Sequence, residues 1–228
     1  MIRRPPRSTL SSSSAASDVY KRQTEPRMIP QGVFGRLSEQ MLIGEMNSPT
    51  LVRFIPDSVG DVSQGAAIPF LRTRALGAGN HRLTFTPDGS LWVAKTHLSW
   101  AGGEGLVRVR LKEQAADFLA IDRVKLTPKG FSIGFTQPIQ SESLRDVEIT
   151  RHTYTYHAKY GSPKVDKQKV SAAVTGFSAK DRSCLINFEN TADLKKGYLY
   201  TINFPGVLSV KGKPLLGSTV YYTLHEKR

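Results

Sequence analysis

Apolar residues in this chain recur mostly at every second position, and no stretch shows a convincing helical period. The clearest alternation runs from His81 to Arg110. Leu83 and Phe85 lead into Pro87-Asp88-Gly89-Ser90, and Leu91 and Val93 lead out again. Proline fixes φ, aspartate bonds the local backbone and glycine tolerates positive φ, so the four residues predict a tight hairpin turn. The glycine-rich loop Ala101-Gly102-Gly103-Glu104-Gly105 then precedes a third strand, Leu106 to Leu111. The stretch therefore reads as a three-stranded meander. Upstream, Met41 to Ile43, Thr50 to Ile55 and Ala66 to Leu71 have strand length. They are separated by Asn47-Ser48-Pro49 and by a loop from Asp61 to Gly65, and the turn Ala75 to Asn80 follows.

Beyond Lys112, the polar segment Lys112 to Asp117 reads as a linker, and strand signals then resume. Predicted strands cover Phe118 to Leu126, Phe131 to Phe135, Val147 to Tyr156, Val170 to Phe177, Ser183 to Phe188, Tyr198 to Phe204 and Thr219 to Leu224. Phe131, Ile133 and Phe135 share one face. About seven short strands in about 110 residues fit an immunoglobulin- or fibronectin-III-like β-sandwich. The paired cysteines of antibody domains are absent. Tyr198 and Tyr200 share a face, and either is placed to make a tyrosine-corner bond.

The expected architecture is all-β: about one to two blades of a β-propeller over residues 24–112, then the sandwich over 113–228. A blade needs four strands and a propeller about four to eight blades, so residues 24–112 cannot close a propeller. Their outer edges should be exposed unless other sequence covers them.

Charge and cysteine content narrow the function classes. The formal charge is +13 and the pI about 10.0, which raises nucleic acid as a partner. The cations are scattered, and no nucleic-acid recognition motif accompanies them, so a solvated surface is the favoured reading. Cys184 sits in the apolar run CLINF and reads as a buried hydrophobe rather than a nucleophile. No apolar run approaches the roughly 20 residues that span a bilayer. Residues 1–23 combine a serine tetrad, five cations and no apolar periodicity, and read as disordered. They lack the apolar core of a signal peptide. The string resembles translated sequencing-adapter read-through, which implies that the rest is the C-terminal part of a longer chain.

The segments GEMNSPTLVRF, QGAAIPF, GNHRLTFTPDGSLWVAKTHLSW and GGEGLVRV carry a family resemblance. They look like the last blades of the glucose/sorbosone-dehydrogenase-like family, secreted propellers related to pyrroloquinoline-quinone sugar dehydrogenases. The resemblance implies a periplasmic or secreted parent with an immunoglobulin-like module after the propeller. It also implies the quinone (PQQ) and a c-type haem as cofactors of that parent, with none assigned to this stretch. The family's catalytic histidine lies on earlier blades, so no catalytic residue is carried over, and the missing blades become the expected partner.

Two groups of residues are the ligand candidates. His97, Trp100 and Glu104 lie in the loop after the second meander strand, where an aromatic beside polar groups suits a sugar or quinone face; the favoured reading is structural, with Trp100 packed over the adjacent blade and His97 bonding a backbone group. The run Tyr154-Thr155-Tyr156-His157-Ala158-Lys159-Tyr160-Gly161-Ser162-Pro163-Lys164-Val165-Asp166 is the most distinctive motif, and it resembles a signature of the same family's post-propeller module. Tyr154, Tyr156 and Tyr160 can stack on a sugar while His157 and Asp166 bond its hydroxyls. The same residues can instead dock the sandwich on the propeller. The leading expectation is a non-catalytic fragment whose sandwich docks on blades. A carbohydrate-binding module is the alternative, and a basic nucleic-acid binder ranks last. Nucleophile elbows, phosphate loops and zinc-ligand spacings are all missing from the sequence.

Overall fold

The computed structural model describes residues 24–97, 102–112, 117–155, 162–180 and 182–228. Among these residues the chain is all-β, with only short 3-10 turns besides strand. The N-terminal part opens with a consecutive antiparallel meander of β1 (Arg27–Met28), β2 (Met41–Gly44), β3 (Thr50–Val59) and β4 (Val62–Arg72). The β3–β4 hairpin is longer than its apolar pattern indicated. Its tight turn is Gly60-Asp61, where Gly60 takes φ of +55°, and Val62 to Gly65, expected as loop, is already strand. The predicted three-stranded meander is present as β5 (Asn80–Phe85), β6 (Leu91–Lys95) and β7 (Leu106–Val109), antiparallel in that order.

The remaining strands are β8 (Leu119–Thr127), β9 (Gly130–Phe135), β10 (Glu148–Tyr154), β11 (Lys164–Lys169), β12 (Ala172–Ser178), β13 (Ser183–Phe188), β14 (Tyr198–Asn203), β15 (Leu215–Leu216) and β16 (Thr219–Leu224). They form two facing sheets. One runs β12-β13-β9-β8-β15, and the other contains β16-β14-β10-β11. Between them lies a core of Phe131, Ile133, Phe135, Ile149, Cys184, Ile186, Tyr200, Ile202, Val220 and Tyr222, all essentially buried. Edge-to-face aromatic pairs thicken it, such as Phe131 with Tyr222 at 5.1 Å. The sandwich expected from residue 113 onward is thus built largely from the expected strands.

The N-terminal strands share a sheet with the sandwich. β4 pairs antiparallel with β16, with Ala67 opposite Tyr221 and Gly65 opposite Thr223. One eight-stranded sheet, β1-β2-β3-β4-β16-β14-β10-β11, therefore crosses the boundary expected at residue 112. The core crosses it too, because Ile55, Val59, Ala66 and Ile68 on the inner face of the hairpin complete the sandwich core. Alternation told which face of this hairpin was apolar, but not what that face would meet. One outer edge expected to be open is covered by the sandwich's own last strand. A second core holds the β5–β7 meander, where Leu83, Leu91 and Val93 pack on Ile29, Phe34, Leu37, Leu42, Leu51 and Phe70.

Candidate functional site

A buried polar site lies where β3 meets the edge of β8. Alternation along β3 puts Leu51, Arg53, Ile55, Asp57 and Val59 on its inner face, and two of these five are charged. Both are almost fully buried, at 1 % exposure each. β15 pairs with β8 only at Leu119 and Ala120, so the rest of that outer edge has no strand partner among the described residues. Side chains take its place. Arg53 donates to the Ile121 carbonyl at 2.5 Å and to Gln40 Oε1 at 2.6 Å. Gln40 donates to the Asp122 carbonyl at 2.8 Å, and Asp57 accepts from the Leu126 amide at 2.9 Å. Buried backbone groups need partners, and a strand of the neighbouring sheet supplies them through its side chains.

Asp57 also accepts from the Tyr222 hydroxyl at 2.8 Å, from Lys125 at 3.2 Å and from Arg228 at 3.0 Å. Burial alone would raise its pKa. The Leu126 amide, the Tyr222 hydroxyl and Lys125 outweigh burial and hold the carboxyl below its ordinary value. Burial pushes the Arg53 guanidinium down to about 9, with Asp122 opposing, so it stays charged at neutral pH. Sequence reading missed this site. Arg53 and Asp57 each looked like an ordinary surface charge, and their partners lie 68 and 69 residues away.

Asp166 belongs to a second cluster, at the opposite end of the eight-stranded sheet from β1. It takes φ of +50°, a backbone region uncommon outside glycine, where β11 is irregularly paired with β10. Its carboxylate accepts from the Tyr198 hydroxyl at 2.6 Å, from Gln168 at 2.7 Å and from Arg151 at 3.1 Å. The Tyr198 and Arg151 bonds hold the Asp166 pKa below the usual carboxylate value. Arg151, whose side chain is 2 % exposed, also bonds Asp193 at 3.2 Å and Gln168 at 2.6 Å and lies 4.9 Å from the Tyr198 ring centre. Burial lowers the Arg151 pKa, yet the bonds to Asp166 and Asp193 raise it above its ordinary value. Nearby, Tyr200 is the residue that makes the anticipated corner bond. Its hydroxyl donates to the Asp193 carbonyl at 2.6 Å and accepts from the Lys195 amide at 2.7 Å. Tyr154 sits edge-on to His152, with its hydroxyl 3.2 Å from Nε2. Tyr156, His157 and Tyr160 lie outside the described residues.

On the meander, His97 and Glu104 come within 3.8 Å of each other, both well exposed, and Trp100 lies outside the described residues. The glycine-rich loop has a packing reason: a Cβ on Gly103 would overlap the Ala78 carbonyl. The predicted turn is tied by Asp88, which accepts from Thr86 at 2.6 Å and from the Ser90 amide at 3.1 Å and pairs with Arg108. Arg108 in turn lies 5.5 Å from the centre of the Trp92 ring. Behind it, Lys95 fills a ring of acceptors, the Leu76 carbonyl, the Gly77 carbonyl at 3.3 Å and Asn80 Oδ1 at 2.5 Å. Desolvation lowers its pKa.

Among the described residues the Asp57 and Asp166 carboxylates of these clusters are paired with cations and hydroxyls, while Arg53 Nε and Arg151 Nε are buried without a hydrogen-bond partner. The bonds join strand to strand. Among the described residues no group of three or more His, Cys, Asp or Glu side chains is placed to hold a metal ion. A c-type haem requires a cysteine pair, and the chain has one cysteine, fully buried in β13. The residues present do not fit that group.

Fold and site together define an all-β protein: a two-sheet sandwich whose larger sheet runs on into an N-terminal hairpin, with a three-stranded meander packed behind. No helix among the described residues is long and apolar enough to cross a membrane. Comparison with family models, with curated proteins and with solved structures finds no match to this chain.

Proposed function

We propose that this chain is the non-catalytic C-terminal part of a secreted or periplasmic sugar-dehydrogenase-like propeller protein, with its sandwich bracing the blades. The observation that carries the reading is the junction, where β4 pairs with β16 and Gln40, Arg53 and Asp57 bond the edge of β8. A merely tethered module would not need buried ionic contacts of this density. The consecutive meanders β1–β4 and β5–β7 are the strand pattern from which blades are made.

The sandwich supports its half of the reading by strand order. The runs β8-β9-β13-β12 and β10-β14-β16 follow the A-B-E-D and C-F-G orders of an immunoglobulin constant-type domain. Tyr200, early in β14, bonds back to Asp193 at the preceding corner, as the tyrosine corner of such domains does. The quinone and haem of the parent would then sit on parts of the protein other than these residues, and the missing blades would cover the face and edge of the meander.

The test is to extend the reading frame upstream of residue 24 and titrate the present chain with oligosaccharides by calorimetry. Further four-stranded repeats upstream, with no sugar binding here, are the expected outcome. An upstream frame without such repeats contradicts the bracing role. Saccharide binding abolished by Asp166→Ala would replace bracing by recognition.

A further inference from the structure

The three sheets end in six terminal strands, and charge distinguishes one of them. Four of the six have four or more residues: β5, β7, β11 and β12. β5 carries Arg82, and its Leu83 carbonyl already accepts from Arg27 at 3.2 Å. β7 carries Arg108. β11 reads KVDKQK, with lysines at 164, 167 and 169, the kind of edge that repels strand addition. β12 reads AAVTGFS and has no charged residue. Among the described residues its only strand partner is β13, and its own Phe177 and the adjacent Leu185 are each 37 % exposed.

We infer that β12 is a self-association edge, and that the partner it fits is a second copy of this chain. A two-fold axis sets the same strand against itself, so an edge rich in one sign of charge brings like charges of the two copies close together. In a chain of net charge +13, an uncharged edge is free of that repulsion, and β12 is the one such edge of useful length among the described residues. An axis perpendicular to the sheet must pair residues that face the same way. With the axis at Val174, Ala173 of one copy lies opposite Thr175 of the other, both on the outward face. The added strands make one continuous ten-stranded sheet, and Leu185, next to Thr175, widens the apolar contact. The pairing is short. The register shifts between Thr175 and Ser178, and Gly176 takes φ of +55°, so the strand bends away after Thr175. The association is therefore weak and concentration-dependent.

Sedimentation equilibrium of the full chain across roughly three decades of concentration, up to about millimolar, tests this. The apparent mass should rise from 25.2 kDa toward twice that value. The variant Ala173→Lys/Thr175→Lys sets lysine against lysine twice and should weaken association about tenfold or more. Ala173→Lys/Thr175→Glu sets lysine against glutamate at the same two contacts and should restore it. Both variants lose the same Thr175–Asn187 bond, so a difference between them reports the contact and not the fold. A monomer at every concentration overturns the inference, as does a dimer that both variants leave unchanged.

Discussion

Replacing Asp57 by alanine tests the junction at one of its two buried charges. The substitution leaves the Leu126 amide and the Tyr222 hydroxyl without their acceptor, and an unsatisfied buried donor costs about 1–3 kcal/mol. Lys125 and Arg228 contribute less, because their side chains are 43 % and 38 % exposed and can turn to water. An exposed cation of this kind is worth at most about 1 kcal/mol. Together the loss should be about 3 kcal/mol, at the lower end for breaking a buried pair. Urea unfolding followed by far-ultraviolet circular dichroism should then show a midpoint about 1.5 M lower, for a slope of about 2 kcal/mol/M. Tyr222→Phe removes the orphaned hydroxyl, so adding it to the alanine variant should cost less than it does in the wild type. A coupling of about 1–2 kcal/mol is expected. The depressed Asp57 pKa sets the pH dependence. Its stabilisation is complete above the unfolded carboxyl value of about 3.9 and is lost as pH falls below it. The alanine variant should therefore lose less stability than wild type on acidification through that window. A total loss under about 1 kcal/mol, or strict additivity with Tyr222→Phe, would refute the reasoning.

Three further outcomes follow from single residues. Tyr200→Phe strands the Asp193 carbonyl and the Lys195 amide and should cost about 1–3 kcal/mol by denaturation; a neutral result would remove the corner bond from the account. Gly65→Ala pushes a Cβ into the Ile55 carbonyl and to 2.7 Å from the Phe54 ring, so a loss of about 1–3 kcal/mol is expected. Unchanged stability there would mean that the hairpin does not hold this geometry. Burial pushes the Cys184 thiol up to about 12, so a disulfide reagent at pH 8 should label it only at the rate of global unfolding. Rapid labelling of the native protein would place β13 outside the core.

How far the sequence reveals this fold depends on whether a segment carries its own apolar signal. Phe131, Ile133 and Phe135, or Leu83, Leu91 and Val93, alternate at the strand period, and each group is buried where alternation put it. β11 was invisible because none of its six residues is buried. It is held by pairing with β10 and by the bonds of Asp166 and Gln168 to Arg151, neither of which leaves a hydrophobic trace. The far half of β3 was hidden in a similar way. Pro56-Asp57-Ser58 has the composition of a turn, yet it continues the strand because its neighbours satisfy the aspartate. The motif from Tyr154 to Asp166 was legible as unusual but not as to role. Its Asp166 bonds Arg151, Gln168 and Tyr198 within the sandwich, while Gln40, Arg53 and Asp57 bond the edge of β8 from the N-terminal part. Those partners are distant in sequence, and no local pattern announces a contact across nearly 70 residues.

The central claim is that the N-terminal hairpin and the sandwich share one sheet through β4 and β16. Nuclear Overhauser contacts in the isotope-labelled chain test it directly. Cross-strand contacts should connect Gly65, Ala66 and Ala67 with Thr223, Tyr222 and Tyr221, respectively, at the intensity seen between β14 and β16. If the contacts within the β3–β4 hairpin and within the sandwich are strong while those between β4 and β16 are missing, the two parts are separate units and the account is contradicted.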